Sequence, residues 1–268
     1  MATPFRFGLV AMPRDGAAWR AQAVRVESLG FDSLLVPDNL AGTAAMLACA
    51  AAAAATEQLR VGPYVLATPL RTPGLVAAEA AALQLLSGGR AEIGLGAGRP
   101  DSRAEAGSLG IRFGSPGERV ARLERTVAAV RERVPEAPVT VAGSGPRVLA
   151  LAGRTADVVA LGASPYAGEA EYARMARTVA EAAEGRAVVL NLNLTAVGDD
   201  IPPWLEQRMG VTVDKLVAAG SFGHLRGTPR EMADTFERRR AATGISYICA
   251  GVDNADRLAP VVGLLRGR

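Results

Sequence analysis

The chain has 268 residues, 49% of them apolar and only 4% aromatic, with 30 basic against 27 acidic residues and a formal charge of +3. That length suits one (β/α)8 barrel or two small domains, and the apolar share is sufficient for a large core. Nearly all the basic residues are arginines that alternate with acidic residues, and no basic stripe carries interleaved aromatic residues. This pattern is typical of solvated helix faces and argues against a nucleic-acid partner.

The cysteines and the first residues of the chain bear on where the protein works. Cys49 and Cys249 lie in apolar segments, where we expect buried thiols. No basic segment followed by a long apolar run opens the chain, and the alanine stretch at 44–55 lacks the leucine and isoleucine content of a membrane span. We therefore expect a cytoplasmic protein without a membrane partner.

Strand-like apolar runs alternate with helical patterns in chain order. The predicted strands cover residues 5–10, 33–36, 60–66, 91–95, 139–142, 157–161, 187–197 and 246–250. The predicted helices cover residues 17–29, 43–55, 73–86, 117–134, 146–154, 168–184, two short pieces within 203–220, then 229–243 and 255–265. Eight alternations in one direction predict a parallel (β/α)8 TIM barrel, with residues 1–268 as a single domain. A doubly wound open sheet fits less well, because its glycine fingerprint is absent from the first turn at 11–16.

Residues 85–98, Leu-Leu-Ser-Gly-Gly-Arg-Ala-Glu-Ile-Gly-Leu-Gly-Ala-Gly, combine a helix end, a tight turn, a strand and a glycine-rich strand exit. The exit at 94–98 has almost no side-chain volume, which predicts a place where a flat ligand lies against the backbone. Two irregular stretches, 98–116 and 195–208, follow strands and are expected to form walls or lids at the carboxyl-end face of the barrel.

The titratable residues are few, which limits the chemistry that the side chains supply by themselves. His224 is the single histidine, and the sequence lacks a Gly-x-Ser-x-Gly elbow. A catalytic triad, a histidine-rich metal site or a carboxylate metal cage is therefore not expected. A barrel of this kind is best explained if a bound cofactor supplies the reactivity.

Several short motifs, in order along nearly the whole chain, resemble the luciferase-like monooxygenase superfamily, and most of all its actinobacterial coenzyme F420 branch. They are residues 30–38 (GFDSLLVPD), 59–62 (LRVG), 65–67 (VLA), 71–73 (RTP), 85–98, 142–147 (AGSGPR), 149–152 (LALA), 156–159 (ADVV), 227–231 (GTPRE), 244–247 (GISY) and 258–262 (LAPVV). The resemblance implies a (β/α)8 barrel that binds coenzyme F420 or FMN, with the ring over the carboxyl-end mouth.

The same resemblance implies where the cofactor lies. Leu66, Ala67 and Thr68 match a bulge, often with a non-prolyl cis peptide, that supports the back of the ring, although a plain strand exit is the alternative. Gly96 is expected beside the ring. The cofactor phosphate is expected at the loop after the fifth barrel strand, where the amino end of a helix favours an anion. That loop contains Gly143, Ser144, Gly145, Pro146 and Arg147, and its alternative is a tight turn with Ser144 capping the helix.

The candidate catalytic residues are Asp38, Asn39, Arg99 and His224, of which Asn39 and Arg99 depart from the family pattern. Relatives have a histidine where this chain has Asn39 after Asp38, and an amide forms hydrogen bonds but transfers no proton near neutral pH. Arg99 replaces a tryptophan and is expected to receive an anionic substrate group or a cofactor tail, or else to face solvent. His224 is expected either to reach the pocket or to lie at the surface or an interface. Trp204 is a candidate cover for the ring or the substrate.

A shortened connection bears on function. Relatives carry some tens of residues between the helix ending near Val134 and the next strand, whereas 135–138 joins them directly here. We expect this deletion to remove a wall of the pocket.

Three functions follow from these patterns. The first is an oxidoreductase that transfers a hydride between coenzyme F420, or FMN, and a small organic substrate, as a homodimer. The second is a degenerate barrel that binds a flavin or natural product without redox turnover, and the third, poorly supported, is a metal-dependent hydrolase.

Overall fold

The computed structural model describes residues 3–38, 42–99, 102–199, 201 and 203–268. Its main sheet has nine strands, all paired in parallel, in the order β3-β2-β1-β11-β8-β7-β6-β5-β4. These strands are β1 (Arg6–Val10), β2 (Ser33–Val36), β3 (Arg60–Pro63), β4 (Leu66–Ala67), β5 (Ile93–Gly96), β6 (Val139–Gly143), β7 (Val158–Leu161), β8 (Val189–Asn193) and β11 (Ile245–Gly251). A separate parallel pair consists of β9 (Ala196–Val197) and β10 (His224–Leu225).

The third barrel strand is interrupted, which explains why nine segments form eight barrel strands. β3 pairs with β2, whereas β4 pairs with β5, so the two segments are consecutive parts of one strand. A bridge between Val61 and Ala91 joins the two edges and nearly closes the barrel. Residues 64–65, here called the floor segment, lie between β3 and β4 and are joined by a cis peptide bond. The predicted (β/α)8 TIM barrel is confirmed.

The helices follow the barrel strands as predicted. They are α1 (Gly16–Ser28), α2 (Ala45–Ala53), α3 (Pro73–Leu86), α4 (Ser102–Ser108), α5 (Pro116–Arg133), α6 (Pro146–Thr155), α7 (Glu169–Ala183), α8 (Pro203–Met209), α9 (Val213–Ala218), α10 (Pro229–Thr243) and α11 (Ala255–Leu265). Short 3₁₀ turns occur at Thr68–Leu70 and Val252–Asn254. None of the described helices is long and apolar enough to cross a membrane.

Local sequence signals fix several helix starts. Thr72, Ser115 and Thr228 each cap a helix with a side-chain oxygen and are each followed directly by proline. This arrangement satisfies an otherwise unpaired N–H group and preorganises the first turn. The bounds of α3, α10 and α11 equal the predicted ones. Two elements were not predicted: α4, inside a stretch expected to be irregular, and β10.

Alternation along the strands divides the interior into two regions. Outward-facing residues such as Leu9, Leu34 and Ile93 pack against the surrounding helices. Inward-facing residues form a smaller inner cluster (Leu35, Val158, Tyr247 and Cys249). Both cysteines are buried and free, as expected.

Below the inner cluster the barrel interior is polar. Glu92 is 2% exposed and accepts hydrogen bonds from Arg6, from Arg60 Nε at 2.9 Å and from the Tyr247 hydroxyl at 3.1 Å. Burial, followed by the charge of Glu92, raises the pKa of Tyr247 well above its usual value. The amino-terminal end of the barrel is therefore filled by an ion-pair network, so a ligand has to enter from the carboxyl end.

Candidate active site

The carboxyl ends of the barrel strands form the mouth, which the loops after the strands surround. Val10 and Tyr64 pack against the inner cluster and remain partly exposed at this face. Asn193 is exposed at the end of β8 and lies two residues beyond the inward-facing Asn191. Because side chains two apart in a strand share a face, Asn193 points into the mouth.

The mouth is organised around the floor segment. A Cβ atom built on Gly94 would lie 2.1 Å from the Pro63 carbonyl oxygen, and one on Gly96 would lie 2.8 Å from Val65 Cγ2. The glycine-rich exit therefore accommodates the interrupted third strand. The expectation that it leaves space directly for a ligand is wrong, because Pro63 and Val65 occupy that space.

Asp38 lies beside the floor segment and is fully engaged. Its carboxylate accepts two hydrogen bonds from Arg71, at 2.7 and 2.8 Å, and one from the Ala67 backbone N–H at 2.9 Å. The Asp38 side chain is 4% exposed and that of Arg71 12% exposed. A paired, buried carboxylate of this kind fixes the start of β4, and the arrangement favours a positioning role for Asp38 over proton transfer. Asn39 lies outside the described residues.

The other residues predicted at the end of the third strand have distinct environments. The Thr68 hydroxyl is buried and donates to the Gly96 carbonyl at 3.0 Å, which ties the strand exit to β5. Leu66 is fully buried in the outer core, and Ala67 is partly exposed. The structure thus brings Asp38, Ala67, Thr68 and Gly96 together. The cis peptide lies at 64–65, two residues before the position expected from the resemblance.

The predicted phosphate loop is open at the start of α6. Gly145 is the N-cap of α6, and no side chain caps it, so the alternative in which Ser144 caps the helix is wrong. Ser144, Gly145, Pro146 and Arg147 are all exposed, and a Cβ atom on Gly145 would meet nothing within 4 Å. Gly143 instead allows close packing of the helix, because a Cβ there would lie 2.4 Å from Val148 Cγ1.

One wall of the mouth consists of the loop after β5 together with α4. Arg119 donates to the Ala97 carbonyl at 3.1 Å and lies over the Phe113 ring, with its guanidinium carbon 4.5 Å from the ring centroid. Gly98 adopts a positive φ of 74° against that ring. Arg99 follows on this wall and is exposed.

His224 lies apart from these groups in β10. Its side chain is buried, and Nε2 is 2.8 Å from the Gly198 carbonyl oxygen. The expectation of a surface histidine is therefore wrong. Its ring stabilises the β9–β10 pair, and the structure does not bring it into contact with the other predicted site residues that it describes. Trp204 is exposed on α8.

The shortened connection lies on the opposite face of the barrel. It leads from the end of α5 into the start of β6. Connections from helix to strand lie at the amino ends of barrel strands, away from the active face. The expectation that this deletion opens the pocket is wrong.

Sequence reasoning missed the polar residues that support the floor segment. The Tyr64 hydroxyl donates to Asn191 Oδ1 at 2.5 Å, and Asn191 Nδ2 donates to Cys249 Sγ at 3.2 Å. Burial, followed by the nearby Cys249, raises the pKa of Tyr64 well above its usual value, so the hydroxyl remains a donor. The only sequence signal for these residues was the alternating Asn191-x-Asn193 pattern in an otherwise apolar strand, which indicates polar side chains on the inward face.

Comparison with known proteins identifies similar chains. A model described as luciferase-like monooxygenase matches residues 1–134, half of the chain. The F420-dependent glucose-6-phosphate dehydrogenase of Beutenbergia cavernae is 35% identical over 178 residues, which are 54% of this chain and 51% of that protein. The chain spans about half the length of the curated relatives it matches.

Solved structures share the fold over almost the full length. The coenzyme F420-dependent tetrahydromethanopterin reductase of Methanopyrus kandleri has a TM-score of 0.75 at 18% identity, covering 98% of this chain and 99% of that one. An F420-dependent secondary alcohol dehydrogenase in complex with an F420-acetone adduct has a TM-score of 0.79 at 19% identity, covering 98% and 100%. These likenesses establish the architecture of the barrel.

Proposed function

This chain belongs to the luciferase-like monooxygenase family, and from that premise we propose that it is an oxidoreductase that transfers a hydride between coenzyme F420 and a small organic substrate. FMN is the alternative cofactor. The relative from Beutenbergia cavernae supports F420, since its name states that dependence. The observation that carries the proposal is the amino end of α6, which is exposed, has no side-chain cap and lies at the rim of the mouth. The floor segment already lies in the mouth, where it would support the cofactor ring.

The residues present fit such a cofactor. The exposed residues 144–147 leave room for a phosphate at the positive end of the α6 dipole, and Arg147 adds a charge there. The floor segment offers an apolar Val65 side chain, backed by Gly94 and Gly96, as a support for a flat ring. When bound, the deazaflavin ring supplies the carbon that accepts or donates the hydride.

The side chains around the mouth act by orientation and by excluding water. Asp38 and Arg71 neutralise each other and hold the start of β4, so the floor presents no uncompensated charge. Asn193 offers an uncharged amide to a substrate above the floor. The polar network of Glu92 closes the barrel below and keeps water from reaching the ring from that side.

The alternative functions lose support. The degenerate barrel was motivated partly by the deletion, which lies on the face opposite the mouth. For a metal-dependent hydrolase, the described part of the chain offers no group of three or more His, Cys, Asp or Glu residues placed to hold a metal ion.

We also propose a homodimer, formed through the outer faces of α2 and α3. Leu47 of α2 is 71% exposed, and in α3 Leu75 is 50% and Leu86 67% exposed. Leu75, Ala82 and Leu86 lie on one side of α3 and are all exposed, with Glu79 as the charged residue between them. A second copy of the chain would bury this side.

Titration with coenzyme F420 and with FMN, followed by fluorescence, tests the proposed cofactor. The wild-type protein is expected to bind F420 more tightly than FMN. Gly145→Asp places a negative charge where the phosphate is expected and should weaken binding at least about tenfold, while Gly145→Asn, of the same shape without charge, should weaken it much less. Aspartate is a favourable N-cap, so that variant is expected to fold. Failure of the wild-type protein to bind either cofactor would overturn the proposal.

A further inference from the structure

The floor segment is anchored from two sides of the barrel. On the side of β2, the Tyr64 backbone N–H donates to the Val36 carbonyl at 2.7 Å, which continues the β2–β3 pairing. The Tyr64 side chain extends into the barrel, where its hydroxyl donates to Asn191 Oδ1 at 2.5 Å. Asn191 belongs to β8, the seventh barrel strand, which lies opposite the third across the barrel. One side-chain hydrogen bond thus spans the barrel interior.

Asn191 is itself held in one orientation. The residue has no exposed surface, and its Nδ2 donates to the Tyr247 carbonyl at 3.1 Å and to Cys249 Sγ at 3.2 Å. Because the amide nitrogen has these two acceptors, the amide oxygen is directed at Tyr64. The acceptor for Tyr64 is therefore fixed by the opposite wall of the barrel.

On its other side the floor segment packs against β5. Cβ atoms on Gly94 and Gly96 would lie 2.9 and 2.8 Å from the two methyl carbons of Val65. Val65 therefore occupies a groove that exists only because both residues are glycines. The groove limits movement of Val65 along β5, whereas the Tyr64–Asn191 bond limits movement of the segment out of the barrel toward the mouth.

We propose that Asn191 is a positioning residue that acts through Tyr64: it sets the depth at which the floor segment supports the cofactor ring. This inference rests on the proposed function, since that function places the ring on the floor segment. Asn191 has no exposed surface, so it acts on the cofactor only through Tyr64, which remains partly exposed at the mouth.

Single variants of the two partners test the proposal. Tyr64→Phe removes only the hydroxyl, and Asn191→Leu removes the acceptor at similar volume. Each is expected to weaken F420 binding about tenfold and to shift the visible absorption or circular dichroism band of the bound cofactor, because the floor segment loses the bond that fixes its depth. Each is also expected to lower the thermal midpoint, because losing one partner of a buried hydrogen bond leaves the other unsatisfied. Tyr166→Phe is the matched control, because its hydroxyl contacts the Gly210 carbonyl, at 3.4 Å, outside the barrel. It should leave affinity and spectrum unchanged.

The double variant separates positioning from stability. Tyr64→Phe combined with Asn191→Leu removes both ends of the Tyr64–Asn191 bond, so its thermal midpoint should be higher than that of Asn191→Leu alone, although the Tyr247 carbonyl still lacks its Nδ2 donor. Cofactor affinity and the shifted spectrum should not recover, because the anchor is still missing. Recovery of binding together with stability would show that the pair has only a structural role.

The possible results are distinguishable. If the wild-type protein binds F420 or FMN and Tyr64→Phe binds equally well with an unchanged spectrum, the positioning role is wrong and the proposed function stands. If the wild-type protein binds neither cofactor, the proposed function fails, and the positioning role fails with it.

Discussion

At the scale of single residues, the environment of Asp38 shows why a conspicuous carboxylate does not have to be a catalyst. Its two oxygens receive three hydrogen bonds, two from Arg71 and one from the Ala67 backbone. Arg71→Met leaves a buried carboxylate without its charge partner, which typically costs ~3–5 kcal/mol. We expect a loss of this size in the free energy of unfolding, measured by urea denaturation.

The matched control is Arg230→Met, which removes an arginine from an exposed pair with Asp234, where both side chains are at least 43% exposed. Exposed pairs contribute about 0–1 kcal/mol, so this variant should change stability little. Equal, small losses in both variants would show that the Asp38–Arg71 pair is not part of the mouth's framework.

The sequence predicts which residues lie near the mouth better than it predicts what each of them does. Asp38, Ala67, Thr68 and Gly96 meet there because each follows or ends a barrel strand, which the sequence pattern indicates. The role of Asp38 depends on Arg71, 33 positions away. Tyr64 and Asn191, 127 positions apart, meet only because the barrel closes. No local pattern carries information of that kind.

At the scale of secondary-structure elements, the interruption of the third strand depends on its neighbour β5. Gly94→Ala would place a Cβ atom 2.1 Å from the Pro63 carbonyl oxygen, so one of the two strands has to move. Such overpacking typically costs ~1–3 kcal/mol. We expect a loss of that order in the free energy of unfolding, and weaker cofactor binding because the floor segment shifts with Pro63.

Gly74→Ala provides a control of opposite sign. Gly74 lies in the first turn of α3, and a Cβ atom there meets nothing within 4 Å. Alanine is favoured over glycine in helices by ~0.5–1 kcal/mol, so this variant should be as stable as the wild type or more so. A Gly94→Ala protein as stable as Gly74→Ala would contradict the close packing of β3 and β5.

Element boundaries were predictable where a capping residue and a proline coincide, as at Thr228 and Pro229 of α10. They were not predictable where an element depends on distant partners. The run at 187–197 was predicted as one strand, yet it divides into β8, which pairs within the barrel, and β9, which pairs with β10. Apolarity alone does not distinguish the two partners.

At the scale of the whole molecule, the (β/α)8 architecture follows from periodicity because the barrel strands are buried on both faces and each connection between them contains a helix. Periodicity also shows which helix positions are apolar. It does not show whether an apolar position faces the barrel or another molecule, because both leave the same pattern in the sequence. The outer face of α3 is such a case, since Leu75 and Leu86 are apolar and exposed.

The proposed homodimer makes a prediction for the assembly. Leu47→Glu combined with Leu86→Glu places two charges on the α2–α3 face, where burial of each leucine would otherwise contribute ~1.5–3 kcal/mol. We expect the wild-type protein to sediment as a dimer and this variant as a monomer with an unchanged circular dichroism spectrum. Val217→Glu, at a 50% exposed position on α9, adds a charge to a different apolar surface residue and should remain dimeric. The proposed interface would be wrong if the wild-type protein were a monomer. It would also be wrong if the wild type were a dimer that Val217→Glu dissociates and the double variant does not.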